Sequence, residues 1–215
     1  MQYIMKQTPP RSFIRYCKNR TASYQDLSRP SNVEIKMELR GALLNEQGHI
    51  CCYCGREIDN VNSVIEHVKD KDSHPNQQLD YYNLACSCKG GQDRRSANPQ
   101  YPLFCDAHKE NFDILITPFE VCCISKFEFD EDGNIFGLDD AARETIKILN
   151  LNNDKLRNQR KYAIDEYRYL EPEDIDWDVE LEMLSNRNQH GKFLPFCFVL
   201  RNYIETYKIP YSQAC

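Results

Sequence analysis

No apolar run in the 215-residue sequence approaches the roughly 20 residues that a membrane-spanning helix requires. The opening residues, MQYIMKQTPPRS, lack the apolar core of a secretory signal. Together these absences point to a cytoplasmic protein without membrane association. Internal repeats and low-complexity stretches are missing too, which excludes solenoid and linker architectures. An excess of positive charge is also lacking. The net charge of −6 excludes a general, charge-driven nucleic-acid coat and leaves room only for a local basic cleft. What is present is an ordinary globular composition, 41% hydrophobic and 28% charged, long enough for one sizeable domain or two small ones.

Cysteine, by contrast, is abundant. Eleven is an odd number, so pairing within one chain is incomplete, and a reducing compartment disfavours disulfides. Such cysteines are buried small hydrophobes, metal ligands or nucleophiles, and their spacing has to decide.

Three stretches differ in texture. In residues 1–48, Pro9, Pro10 and Pro30 punctuate a polar, irregular start. Ser31-Asn-Val-Glu34 then has the form of a capping box, opening a helix to about Gln47. Ile35, Leu39, Leu43 and Leu44 share one face of that helix, and Gly48 stops it. In residues 49–111, cysteine, histidine, glycine and asparagine concentrate while hydrophobic periodicity is weak, as in a fold organised by a metal. In residues 112–215 the pattern becomes conventional. Segments near 121–129 and 134–137 flank the turn Asp130-Glu-Asp-Gly133, and helices are expected near 139–149, 153–168, 174–185 and 194–207. Pro172 and Gly191 punctuate the end, and Leu156, Ala163 and Ile164 alternate with Arg157 and Arg160. This mainly helical region packs on the metal-built part or serves as a docking platform.

The middle stretch carries the chemistry. Cys51-Cys-Tyr-Cys54 is a C-x-x-C knuckle whose thiolates can turn onto one tetrahedral zinc. Cys86 and Cys88 lie downstream, and Cys105 follows a 16-residue insertion, so a second pair is available to close a four-thiolate site. Between the pairs stands Ile65-Glu66-His67. In a strand the two functional groups face opposite sides and can play different roles. A neutral imidazole can take a proton from water, and a carboxylate can hold a hard divalent cation. Asn83, in Asp80-Tyr-Tyr-Asn83-Leu84, offers an amide that orients the His67 ring or caps a turn. Cys105-Asp106-Ala-His108-Lys109 gathers a thiolate, a carboxylate, an imidazole and an ammonium within five residues. Either Asp106 or His108 can complete a metal site there, and Lys109 can meet a phosphate as a point charge. Lys89, Arg94 and Arg95, in the insertion around Gly90-Gly91, line a phosphate-binding cleft or a solvated loop.

The order Cys51-x-x-Cys54, Glu66-His67, Asn83-Leu84, Cys88, Cys105 and Lys109 resembles that of the HNH (ββα-metal) endonucleases. A wider set resembles the HNH subunit of Septu-type anti-phage systems, the PtuB-like proteins that also accompany some retrons. That set is Leu44 to Cys54, Ile65-Glu66-His67, Leu79 to Leu84, and Ile148-Leu-Asn-Leu-Asn152 with Leu156 and Arg160, spanning about residues 30 to 165. The resemblance implies an α+β fold: a zinc-stapled ββα-metal core with an N-terminal helix and a mainly helical C-terminal region. It implies structural Zn2+ on Cys51, Cys54, Cys88 and Cys105, with Cys88 preferred to Cys86 by its offset from Asn83. It implies a catalytic Mg2+ or other divalent cation on Glu66 with Asp106 or His108, and His67 as general base supported by Asn83. It also implies a PtuA-like ATPase of the ABC type as partner, nucleic acid as substrate and, in the retron case, a reverse transcriptase with its RNA–DNA hybrid. Two features depart from the pattern. Asp106 stands where histidine commonly follows the last cysteine, and the insertion before Cys105 is long. Rival readings are a non-catalytic zinc module that binds nucleic acid or protein, a nuclease acting on RNA rather than DNA, and a thiol-redox protein using Cys51 and Cys54.

Overall fold

The structure is a computed structural model that describes residues 1–170 and 175–209. The expected break at Pro172 and the first residue of the helix expected from 174 lie outside them. The fold is α+β, with seven α-helices and two small antiparallel sheets among the described residues. None of those helices is long and apolar enough to cross a membrane.

The N-terminal stretch is more regular than its prolines suggest. Pro9 and Pro10 do not break an element but introduce one: Pro10 is the N-cap of α1, Arg11–Cys17, and its carbonyl accepts from Ile14 N at 3.0 Å. Proline is tolerated there because its missing N–H would have no intrahelical partner. Lys6 anchors the segment ahead of α1 through a 2.7 Å ion pair to the buried Glu46.

Helix α2, Val33–Glu46, follows a short 3-10 turn, Pro30–Asn32. Its cap is Asn32 rather than Ser31 and makes no side-chain capping bond, so the capping box does not form. The 3-10 turn already bonds Asn32 N to Arg29 O and leaves the serine outside the helix. Leu39, Leu43 and Leu44 are buried as the spacing requires. The helix stops at Gly48, whose φ of +60° is costly for other residues and where a Cβ would strike the Phe193 ring. Buried Gln47 is fully used: its side chain bonds Ile50 O at 2.6 Å, Cys86 O at 2.7 Å and Cys86 N at 2.8 Å. It thereby bridges the knuckle to the first sheet.

That sheet pairs β1, Ser63–His67, with β2, Leu84–Cys88, in a register that sets Glu66 opposite Ala85 and His67 opposite Leu84. A short helix, α3, Asp106–Lys109, completes a strand–strand–helix unit. The long insertion before α3 closes on itself. Phe104 N bonds Gly90 O at 3.1 Å, and a Cβ on Gly90 would lie 2.1 Å from Phe104 O. Glycine is therefore required where the two ends of the loop meet.

A second hairpin joins β3, Phe127–Phe129, to β4, Ile135–Gly137, across the turn around Gly133. The strand expected from 121 is a 3-10 turn over Val121–Lys126 before β3 begins. Four helices follow: α4, Asp140–Ile148; α5, Asp154–Arg168; α6, Trp177–Ser185; and α7, Cys197–Tyr203. The last is shorter than expected because a π-turn, Ile204–Lys208, takes over from it.

One hydrophobic cluster runs from Met1 to Ile204 and includes the knuckle cysteines, so residues 1–48, 49–111 and 112–209 share a core. The Ile148–Asn152 stretch is the joint. Leu149 O accepts from Cys105 N at 2.8 Å, Asn150 Nδ2 donates to Leu103 O at 2.7 Å, and Asn152 pairs with both backbone groups of Ile135. Arg160 seals this joint from α5. It is buried, and it donates to Gly133 O at 2.7 Å and Leu151 O at 2.9 Å. Burial lowers its pKa to about 10. Replacing Arg160 with leucine orphans those carbonyls and should cost about 3 kcal/mol of unfolding free energy, measured as a lower midpoint in urea.

Candidate metal centre and catalytic pocket

The sulfur atoms of Cys51, Cys54, Cys88 and Cys105 lie within 4.8 Å of one another, all buried. Cys51 and Cys105 are 3.9 Å apart, as are Cys54 and Cys88. A tetrahedral zinc with bonds of about 2.3 Å places its sulfurs about 3.8 Å apart, so the donor set and spacing fit that ion. The knuckle turns because Gly55 N bonds back to Cys51 O at 3.1 Å with Gly55 at φ +78°. Cys88 N donates to Cys51 Sγ at 3.3 Å, the kind of contact that favours a thiolate. Burial opposes ionisation of Cys51, but hydrogen bonds with Cys105, Cys52, Cys54 and Cys88 hold its pKa well below the usual thiol value. Cys86 stays out of the cluster, its thiol turned to Arg40 O at 3.9 Å. A cluster of four thiols does not suit the thiol-redox reading, which needs only the pair Cys51 and Cys54.

The second group of side chains forms where β1 meets α3. Glu66 is buried, and its carboxylate meets the Tyr53 hydroxyl at 2.7 Å and Lys109 Nζ at 3.0 Å. Asp106 reaches the same carboxylate from the first turn of α3. Burial first, and then this second carboxyl, push Glu66 well above the usual carboxylate range, against the pull of Lys109 and Tyr53. A buried carboxyl with a half-buried one near it is a donor pair that a divalent cation could use. His108 does not join them: it is exposed, and its Nδ1 bonds Ile148 O at 2.9 Å.

His67, at the end of β1, is buried beside Glu66. Its Nε2 lies 2.9 Å from Gln78 O. A carbonyl only accepts, so Nε2 carries the proton and Nδ1 of the neutral ring holds the free lone pair. Burial lowers the His67 pKa from its usual value, and Lys71 and Lys109 add to this while the Gln78 bond opposes it. The Tyr24 ring meets the imidazole edge-on, with centroids 4.3 Å apart.

Asn83 supports His67 by a different route from a bond to its ring. Its amide oxygen accepts from Lys69 N at 2.8 Å, its amide nitrogen donates to Lys69 O at 2.9 Å, and its backbone carbonyl accepts from Val68 N at 3.0 Å. These bonds fix the backbone just past His67. Lys109 is placed otherwise than as a free phosphate ligand. It is buried, with its ammonium on Glu66 and on His67 O at 3.0 Å. Its reach is spent inward because α3 packs directly on the end of β1. Arg94 and Arg95 sit exposed in the insertion and make no hydrogen bond to Glu66, His67 or Asp106. Arg95 bonds Tyr101 O, and Arg94 lies 4.0 Å from Asp93.

Tyr24, Tyr53 and Gln78 touch the pocket and are not legible as site residues from spacing. Tyr53 lies inside the C-x-x-C knuckle, which is the one available signal. Tyr24 arrives from a segment whose composition says nothing of a site. The loop carrying Gln78 is tied down by Asp113, which bonds Asp70 N at 3.0 Å and His74 Nε2 at 2.7 Å.

Fold and site together define an α+β protein built around a buried four-cysteine cluster able to bind a metal such as zinc, with a buried histidine and a buried carboxylate at the end of strand β1. No protein-family model matches the chain. The chain is 29% identical over 163 residues to a protein of Vibrio cholerae serotype O1 biovar El Tor named "Retron Vc95 putative HNH endonuclease". That similarity covers 71% of this chain and 76% of the Vibrio protein. It supports an HNH endonuclease in a retron context.

Substituting serine for Cys88 should lower zinc from about one ion per chain to a small fraction, while Cys86→Ser should retain it. Metal analysis of the two purified variants reads the difference directly.

Proposed function

We propose that the chain is a metal-dependent HNH endonuclease that hydrolyses nucleic-acid phosphodiesters. The observations that carry this reading are the His67 ring, fixed by Gln78 O, and the buried Glu66 carboxylate that meets α3, both at the end of strand β1. With Nε2 held by Gln78 O, Nδ1 takes the proton from the attacking water. Asn83 keeps the end of β1 in place by clamping Lys69. Glu66 and Asp106 would hold a divalent cation, Mg2+ or another, which would supply charge neutralisation at the phosphate. Tyr53 and Lys109 keep the Glu66 carboxylate aimed at Asp106. The four thiolates hold a structural zinc, since four protein ligands leave no open position for substrate.

The wider reading is a toxic effector of an anti-phage defence system. Its partner is a PtuA-like ATPase of the ABC type, docked on residues 112–215, with a retron reverse transcriptase and its RNA–DNA hybrid in the retron case. What supports it is the resemblance to Septu-type HNH subunits and the likeness to the Vibrio protein with a retron name. The Lys109–Glu66 ion pair favours a second reading, a non-catalytic zinc module, because it already offsets part of the charge a cation would neutralise.

The two readings part on cleavage. In a cation-supplemented assay on DNA and RNA, with the ATPase present, the nuclease reading expects His67→Ala to lose about a thousandfold in rate with zinc content and melting temperature kept. Asp106→Ala should lose activity, whereas His108→Ala should keep most of it. Equal rates for parent and His67→Ala would overturn the assignment.

A further inference from the structure

The first 30 residues hold six basic side chains, Lys6, Arg11, Arg15, Lys18, Arg20 and Arg29, against the single acid Asp26. This segment is therefore +5 in a chain whose net charge is −6. Its placement gives the asymmetry meaning. Arg11, Arg15 and Lys18 stand at i, i+4 and i+7 on α1 and its C-cap, which puts them on one face, and all are exposed. The opposite side of the helix buries Phe13. Arg11, Arg15, Lys18 and Arg20 make no ion pair with a carboxylate among the described residues. Several cations elsewhere on the surface do, as with Arg143, Lys147, Arg157 and Lys161, while others such as Lys69 and Lys155 also stand without a carboxylate partner among the described residues.

The C-terminal end of α1, where the stripe finishes, approaches the loop that holds His67. Cys17, at the end of α1, touches Leu79 O at 3.8 Å, and Tyr24 N bonds the Gln78 side chain at 3.0 Å. Gln78 O in turn holds His67, and the Tyr24 ring lies on its edge. A cleft of about 630 Å3, lined by Tyr24, Gln25, Lys71 and Gln78 among others, opens beside this contact. A second cleft, of about 440 Å3, lies along α1, where Arg15, Tyr16, Asn19 and Arg29 line it. Exposed Lys69, two residues past His67, adds a cation on the catalytic loop.

We infer that the basic face of α1 and the turn after it form the phosphate-backbone track that leads a nucleic-acid strand to His67. This rests on the nuclease reading and adds the route of the substrate. Unpaired exposed cations along one line are suited to successive phosphates. The exposed Arg94 and Arg95 are not needed for this track. In a protein of net negative charge, a confined basic stripe also limits binding to one face of the molecule.

The test is binding, kept separate from cleavage. Full-length His67→Ala protein is titrated by fluorescence anisotropy against single-stranded DNA and RNA on the order of 20 nucleotides, over a range of salt. Changing Arg11, Arg15, Lys18 and Arg20 to Gln should weaken binding about tenfold or more and flatten the log–log salt slope by about 3, near 0.7 per lost phosphate contact. Changing Arg143, Lys147, Arg157 and Lys161 to Gln removes the same charge elsewhere and should leave the slope nearly intact. The pair Arg15→Gln/Lys18→Gln should give about half the slope change, and it is the readout if the fourfold variant melts early. Comparing the DNA and RNA arms tells which sugar the track accepts. Equal losses in both fourfold variants, an unchanged slope in the α1 variants, or no binding by the parent at low salt would each overturn the inference. Salt-sensitive binding through α1 with no cleavage by the His67 protein would instead sink the nuclease reading and leave the track standing.

Discussion

Four buried sulfur atoms crowd within 4.8 Å of one another, and most of the site depends on that crowding. They come from the knuckle after α2, from the end of β2 and from the residue before α3. Buried thiolates are costly without a cation, so the arrangement makes physical sense as a metal centre. Closing it sets the distance from β1 to α3, and with it the meeting of Glu66, Asp106 and Lys109. A core of ordinary side chains would hold a four-residue helix poorly, because such a helix cannot sustain itself.

The cluster does not act alone. Cys105 has a positive φ and hangs by its N–H from Leu149 O, at the joint between α4 and α5. The joint is kept by Asn150, Asn152 and the buried Arg160, all of which spend their polar groups on backbone. The helical C-terminal region is thus part of the machinery that positions the last thiol. Around Glu66 the same logic is repeated with charge. A carboxylate removed from water needs partners, and Tyr53 and Lys109 supply them. That requirement draws Lys109 inward, away from the surface.

Much of the centre was legible in the order of residues. Cys51, Cys54 and Cys105 stand where the C-x-x-C spacing and the later cysteine suggest, and the Asn83 offset picks Cys88 over Cys86. Thiol ligands announce themselves because few other residues substitute for them and their spacing is dictated by one ion. The helices from 139 onward were legible for an ordinary reason, since apolar residues at helical spacing must face a core. Helix α1 was not, because prolines beside a short helix read as breaks when they are in fact its beginning. The direction of a side chain was the harder matter. Nothing local says that Asp106 turns to Glu66 while His108 turns to Ile148 O, or that Asn83 clamps Lys69 rather than the imidazole.

The sequence by itself determined which cysteines are spaced to gather, the strand–strand–helix order and the sequence neighbourhood of a carboxylate and a histidine at one strand end. These are properties of residue type and spacing, which a tetrahedral ion and a period of two or 3.6 translate into structure. Only the tertiary structure decided which polar atoms face each other: Lys109 on Glu66, Gln78 O on His67, and Arg160 on Gly133 and Leu151. The reason is that a buried polar group takes whatever partner packing brings within reach. That partner comes from segments distant in sequence, as the separation of 42 positions between Lys109 and the His67 carbonyl illustrates.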